Sequence, residues 1–143
     1  MTAPAAIQIR PAMATEEAKV REIWDLCGLG RAAPDEWTAL AEGDTSVVLV
    51  ADDEGTIAGT AIASFDGWRA YIYHVAVAPQ WRRQGLSRAL LEEAEHYLLS
   101  AGARHVFVSV HEQNTEGFTL VGSEGYVPSG ELVFSKRLAT RFS

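Results

Sequence analysis

Two adjacent cations, an amide side chain and a glycine, Arg82-Arg83-Gln84-Gly85, stand between an apolar run and an amphipathic one. Tyr71 to Ala78 is rich in β-branched and aromatic residues, the composition of a half-buried strand, and Pro79 has no amide hydrogen to continue the ladder. From Leu86 the apolar residues Leu86, Ala89, Leu90, Ala94, Tyr97, Leu98 and Ala101 recur at helical spacing, with Arg88, Glu92, Glu93 and Glu95 mostly on the other side. Arg82 to Gly85 therefore fall where a strand hands over to a helix N-terminus. Free amides and the positive end of the helix dipole make such a place an anion site, above all for phosphate. Glycine suits it because a Cβ would obstruct the approach of backbone to phosphate. Other phosphate motifs fit worse, since the chain holds neither G-x-x-x-x-G-K-[ST] nor G-x-G-x-x-G.

Groups able to move protons lie on either side of that turn. Tyr71 and Tyr73 alternate onto one strand face, while His74 points the opposite way unless a bulge shifts the register. Ser109 and His111 come near the end of a later strand. An imidazole has an unperturbed pKa of about 6.5, which makes His111 the best titratable reserve, although a histidine at a strand end is more often simply exposed. His74, His96, His105 and His111 show no metal-ligand spacing with each other or with Cys27, so no metal is expected. Cys27 falls on an apolar helical stripe and needs no role beyond packing. Trp37, beside Asp35 and Glu36, reads either as part of an acidic, aromatic rim suited to a cation or, more plainly, as a packing tryptophan.

The elements that must position these groups follow from periodicity and turn chemistry. Ala6–Arg10 alternates as a first strand ended by Pro11. Thr15 with Glu16 and Glu17 opens a helix whose stripe is Val20, Ile23, Trp24 and Cys27, stopped by Gly28 and Gly30. Pro34 opens a second helix with Leu40 and Ala41 inward. Ser46–Ala51 and Thr56–Phe65 are paired strands, and Asp66-Gly67 leads into the strand that starts near Trp68. After the long helix Gly102 caps, His105–Val110 is a strand, Asn114–Glu124 a short helix, and a last pair of strands ends with Glu131–Leu138. Strand runs broken by single helices predict an α/β class protein, in finer terms an α+β mixed sheet flanked by helices.

This order, β-α-α-β-β-β-α-β-α-β-β, resembles that of the GNAT superfamily of acyl-CoA N-acyltransferases over the whole chain. Arg82, Arg83, Gln84, Gly85, Leu86 and Ser87 resemble its acetyl-CoA motif, which is Arg or Gln, two residues, Gly, one residue, then Gly or Ala. Ser87 departs from that motif, but its hydroxyl is little larger than a methyl and can itself donate to phosphate. Asn114, Leu120 and Gly125-Tyr126 match a second family segment, whereas Val121 stands where the family usually has a tyrosine that protonates the departing CoA sulfur. The resemblance implies that Val75, Ala76 and Val77 meet pantetheine through main-chain groups. It further implies that the amides of Gln84, Gly85, Leu86, Ser87 and Arg88 hold the pyrophosphate, with Arg82, Arg83 and Asn114 also on the cofactor side. It implies direct transfer of acetyl from acetyl-CoA, as co-substrate, to a primary amine.

The usual bases are missing from the matching positions Tyr71, Tyr73 and Ser109. A phenol, with a pKa of about 10, is a poor base, so proton removal through water held by Tyr71, Tyr73 and Ser109 is expected, with His111 in reserve. A thiolate is a fair leaving group, because a free thiol has a pKa of about 8.5, so departure without an acid is feasible at Val121. The runner-up is a non-catalytic acyl-CoA-binding or sensing module, and a third reading is an interaction module pairing through a β-edge.

Length and composition set the outer limits. A chain of 143 residues suits one domain, 1–143, and 48% hydrophobic with 22% charged residues is ordinary for a soluble protein. The net charge of −7 argues against nucleic acid, whose binding rests on neutralised phosphates, and modestly favours a cationic acceptor. No apolar run approaches a membrane span and the N-terminus has no signal-peptide pattern. A single cysteine fits a reducing compartment, so a cytoplasmic monomer or homodimer is expected.

Overall fold

The computed structural model describes residues 7–138. Its five strands, β1 (Ile7–Pro11), β2 (Ser46–Asp53), β3 (Thr56–Phe65), β4 (Ala70–Val77) and β5 (Val106–Val108), form one sheet in chain order. The first three pairings are antiparallel and the last, β4 with β5, is parallel. A parallel neighbour needs a crossover. The helix α3 (Leu86–Ser100) supplies it, packing on β3 and β4.

The helices α1 (Glu17–Leu26) and α2 (Pro34–Glu42) cover the opposite face. Alternation therefore fails to describe the middle of the sheet: β3 is buried from Ile57 to Ala63 without a break, since both its faces are covered. On one face Val20, Ile23, Trp24 and Trp37 pack with Val48, Val50 and Ile62. On the other, Leu91, Ala94 and Leu98 pack with Leu49, Ala63 and Ile72. Each fully buried leucine contributes about 1.5–3 kcal/mol of transfer free energy.

The boundaries expected from the sequence shift in informative places. Pro11 is the last residue of β1, tolerated there because β1 is an edge strand and Pro11 donates nothing to the ladder; Ala6 lies outside the described residues. Thr15 is not the cap of α1. A 3-10 turn, Ala14–Glu16, precedes the helix, and the Glu16 carboxylate accepts the Met13 amide at 2.8 Å. β5 is three residues long rather than six. The largest correction concerns residues 127–138, where the expected last pair of strands is absent: the segment forms neither strand nor helix and is exposed throughout. Among the described residues it pairs with no strand, and an extended segment left alone in water is at best marginally stable.

One ion cluster ties the start of the chain to the sheet. The Arg10 guanidinium donates to both carboxylate oxygens of Glu16, at 2.9 and 2.8 Å, and to Asp52 at 3.1 Å. The Glu16 carboxyl is thereby held down to about 2, chiefly by the Arg10 hydrogen bonds, with burial opposing. A depressed carboxylate stabilises the fold above its ordinary range and loses that contribution as pH falls through the folded value. The window for Glu16 is therefore about pH 4.5 down to about 2. Glu16→Gln is expected to cost about 1–3 kcal/mol at neutral pH and to flatten the acid limb of stability in that window. Urea titrations of both proteins at a series of pH values measure it; equal stability at pH 7 would remove the cluster from the account.

Candidate active site

β4 and β5 separate as they run toward the turn after β4. Their register ends at Ile72 with Val108, and the Ser109 amide still reaches the Ile72 carbonyl at 3.3 Å. From Tyr73 to Val77 the side of β4 facing β5 has no strand partner among the described residues, while its other side remains paired to β3. A groove of about 1140 Å³ opens at this split, walled by Val75, Ala76 and Val77 on one side and by Val108, Ser109 and Val110 on the other.

The floor of the groove is the turn into α3. Arg83 and Gly85 are both left-handed, at φ +63° and +79°, and Gly85 is the helix N-cap. No side chain caps α3. The Gly85 carbonyl takes the amide of Ala89, so the amides of Leu86, Ser87 and Arg88 precede the first helical hydrogen bond and remain available. An uncapped helix start beside an unpaired strand edge fits the pyrophosphate and the amide-bearing arm of a CoA thioester respectively.

The arginines are not equivalent. Arg82 turns back along the groove, Nε donating to the Val77 carbonyl at 3.0 Å with Nη2 at 3.6 Å from Cys27 Sγ. The Val77 carbonyl is thus occupied, leaving Val75 and Ala76 the freer main-chain groups. The Arg88 side chain is committed to Glu124 and Ser123, each at 2.9 Å, at the end of α4 (Thr115–Ser123), so only its amide serves the groove. Arg83 lines the groove without such a commitment, and Gln84 lies half-buried in the turn beside it. Asn114 caps α4 through Oδ1, which accepts the Gly117 amide at 2.9 Å. A Cβ at Gly117 would fall 2.6 Å from the Asn114 amide nitrogen and 2.8 Å from Val110, so a larger residue would push the capping Asn114 side chain aside.

A second cavity of about 410 Å³ lies on the α1/α2 side, lined by Trp24, Arg31, Glu36, Leu40, Tyr73 and His74 among others. His74 is shared by both cavities. The register of β3 and β4 explains how: Ile62 faces Tyr73 but Thr60 faces Ala76, so one extra residue is accommodated on β4 and His74 takes φ +51°. The bulge is pinned from the core. Trp24 Nε1 donates to Thr60 Oγ1 at 3.0 Å, and the fully buried Thr60 hydroxyl donates to the His74 carbonyl at 3.0 Å. The imidazole stands edge-on to Trp24, centroids 5.0 Å apart, with Nε2 at 3.0 Å from the Gly30 carbonyl. A carbonyl only accepts, so Nε2 carries the hydrogen, and in the neutral ring the lone pair is on Nδ1.

The other expected proton-handling residues are spread apart. Tyr73 lines the smaller cavity, and burial pushes its phenol above the ordinary value, which leaves it a hydrogen-bond donor. Tyr71 stacks on Phe107 at 5.4 Å and lines neither cavity. Ser109 and His111 line the groove. His111 Nδ1 accepts the Gln113 amide at 3.1 Å, so this ring offers an Nε2–H rather than a base. Val121 is a groove residue as well, and places a hydrocarbon there. Trp37 is a core residue, 3% exposed, its indole N–H donating to the Ala14 carbonyl at 3.0 Å; the aromatic wall of the smaller cavity comes from Trp24 and Tyr73 instead. Cys27, expected only to pack, is half-buried and also lines the groove. The sequence reading named a bulge as the condition that would turn His74 round, but left it out of the expected proton-handling residues because plain alternation turns it away from Tyr73. The signal that could have found it was the bulge itself, which reverses that inference.

Comparison with known proteins agrees with this architecture. An aminoglycoside acetyltransferase from an uncultured soil metagenomic sample, solved with trehalose, superposes with a TM-score of 0.77 at 17% identity, covering 94% of this chain and 97% of that one. The aminoglycoside N-acetyltransferase AAC(6')-Iy, solved with CoA, gives 0.75 at 18% identity over 93% and 95% of the two chains. The PaiA N-acetyltransferase of Thermoplasma acidophilum, also solved with coenzyme A, gives 0.71 at 18% identity over 83% and 88%. These identities speak to the fold alone. A family model described as acetyltransferase (GNAT) family matches residues 13–117, from the turn before α1 through the groove to Gly117 in α4. On that match, the chain belongs to the GNAT acetyltransferase family and is an acyltransferase.

Proposed function

We propose that the protein transfers acetyl from acetyl-CoA directly to a primary amine seated in the 410 Å³ cavity, with His74 as the group that receives the amine proton. The observation that carries this reading is the position of His74 on the bulge between the two cavities, its Nε2–H engaged by Gly30 and its Nδ1 left basic. Acetyl-CoA supplies an activated thioester. Leu86, Ser87 and Arg88 present amides to its pyrophosphate, Arg83 adds a cation, and Val75 and Ala76 present main-chain groups to its pantetheine arm. The same stretch of β4 offers an amide to the charge that develops on the thioester oxygen. As the amine nitrogen forms the C–N bond the C–S bond breaks, and the proton released from nitrogen goes to His74. The CoA sulfur leaves as thiolate beside Val121, with the His111 Nε2–H and the Ser109 hydroxyl as donors in the groove. The lone cysteine supports a reducing, cytoplasmic setting.

The cavity lining bears on the acceptor. Trp24, Leu40, Ile62 and Tyr73 supply an apolar, aromatic wall. The lining carboxylate, Glu36, already accepts the Ala33 amide at 2.7 Å, and Arg31 adds a cation at the rim, paired with Asp25. Such a wall favours an amine on an apolar body over a polycation. The test is acetyl-CoA-dependent thiol release with a panel of aryl-alkyl amines, amino acids, polyamines, peptides with free N-termini and aminoglycosides. Transfer to an aryl-alkyl amine, confirmed by mass, is expected. Tight coenzyme A binding with no transfer to any class would overturn the catalytic reading in favour of a sensor.

A further inference from the structure

The sheet face that carries the smaller cavity runs on past the helices that cover it. Residues two apart on a strand share a face, so Tyr71 lies on the side of Tyr73, and its partner Ser64 on β3 lies on the side of Ile62. Across β4 the register sets Tyr71 beside Phe107 of β5. Ile62 and Tyr73 pack with Trp24 and Trp37 of the covering helices, whereas Tyr71 is 38% exposed. The Tyr71 and Phe107 rings stack with centroids 5.4 Å apart and form an aromatic shelf beyond the cavity. One cation overlooks it. The Arg69 guanidinium, just before β4, lies 4.9 Å from the Phe107 ring and 5.4 Å from that of the exposed Trp68. Asp66 fixes the backbone there, its Oδ1 accepting the amides of Trp68 and Arg69 at 2.8 Å each. Tyr71 and Glu131 are the polar groups that face the guanidinium, and the Glu131 carboxylate stands 3.7 Å away, beyond hydrogen-bond length. An exposed contact of that length yields readily to a closer carboxylate.

We propose that this shelf is the far end of the acceptor site, and that the acceptor is an aromatic amine bearing a carboxylate, its ring against Tyr71 and Phe107 and its acid on Arg69. The inference rests on the acetyl transfer proposed above and names the class of amine that it takes. His74 and Tyr71 are three strand residues apart, about 10 Å, so a molecule of that reach sets its amine at the imidazole and its acid at the guanidinium. The cavity alone offers an apolar wall that accepts many bodies. Arg31, the cation at its rim, is held by Asp25 at 2.9 and 2.8 Å, which leaves Arg69 to select. A guanidinium meets a carboxylate through two parallel N–H donors, so the pair fixes direction as well as charge.

Steady-state transfer to phenylbutylamine and to its para-carboxylate derivative tests this. The wild-type chain is expected to favour the carboxylated amine by about tenfold or more in kcat/KM, the usual yield of a hydrogen-bonded charge pair. Arg69→Gln is expected to bring that ratio to about one and still bind coenzyme A, which shows that it folds. Arg69→Lys should keep part of the ratio, since it retains the charge without the fork. Both amines react at the same centre, so damage to the fold lowers both rates and leaves the ratio alone. Equal efficiency with the two amines in the wild-type chain would overturn the inference and leave the reaction standing. A preference that survives Arg69→Gln would overturn it as well. Transfer to neither amine would also overturn it and, should the wider panel fail too, the reaction with it.

Discussion

His74→Asn is expected to lower the turnover of acetyl transfer by about 10²–10⁴-fold, the usual contribution of a positioned acid or base, while leaving coenzyme A affinity nearly unchanged. Asparagine is the informative replacement. Residue 74 sits at φ +51°, which asparagine tolerates better than alanine or a β-branched residue, so the bulge survives while the proton acceptor is removed. The variant should also lose the rise of kcat/KM with pH that a base produces as it deprotonates. Steady-state rates with the fastest amine of the panel, across pH, measure both effects. Full activity with an unaltered profile would transfer the role to water.

Gly85→Val is expected to weaken coenzyme A binding by about two orders of magnitude or more. A β-branched residue at φ +79° is strained by about 1–3 kcal/mol, and the strain is relieved by turning the peptide that aligns the first amides of α3. With the pyrophosphate bound as proposed, the added side chain would also meet it. Gly85→Asn separates the two effects, because asparagine accepts the left-handed conformation and adds only bulk. Calorimetry should rank wild type, Gly85→Asn and Gly85→Val in falling affinity. Unchanged binding by the valine variant would mean that the pyrophosphate lies elsewhere.

These two residues mark what the sequence disclosed and what it withheld. Gly85 was legible because its signal is local: a strand, a proline, two arginines and a glycine ahead of a helix specify an anion-binding turn whatever surrounds them. The same holds for β3, whose bounds of Thr56 and Phe65 follow from its own turns. His74 was hidden because its direction depends on a register slip against β3, stabilised by Thr60 and Trp24, which lie 14 and 50 residues away in the chain. Residues 127–138 failed for a related reason. Their alternation describes a strand, but a strand exists only where another pairs with it, and among the described residues none does. Arg82 was expected on the cofactor side, yet its Nε donates to the Val77 carbonyl, and the Arg88 side chain is held by Glu124.

The split between the bulge and the rim of the smaller cavity has a practical corollary. The bulge that carries His74 is held by Thr60 and Trp24, whereas Arg31, Glu36 and Leu40 come from α2 and the loop before it. Those three rim positions are thus encoded apart from the bulge, although Trp24 both pins the bulge and lines the cavity. A library confined to those three rim positions could be screened for new amines without retuning the reaction centre, which makes the scaffold a natural starting point for redirected acylation.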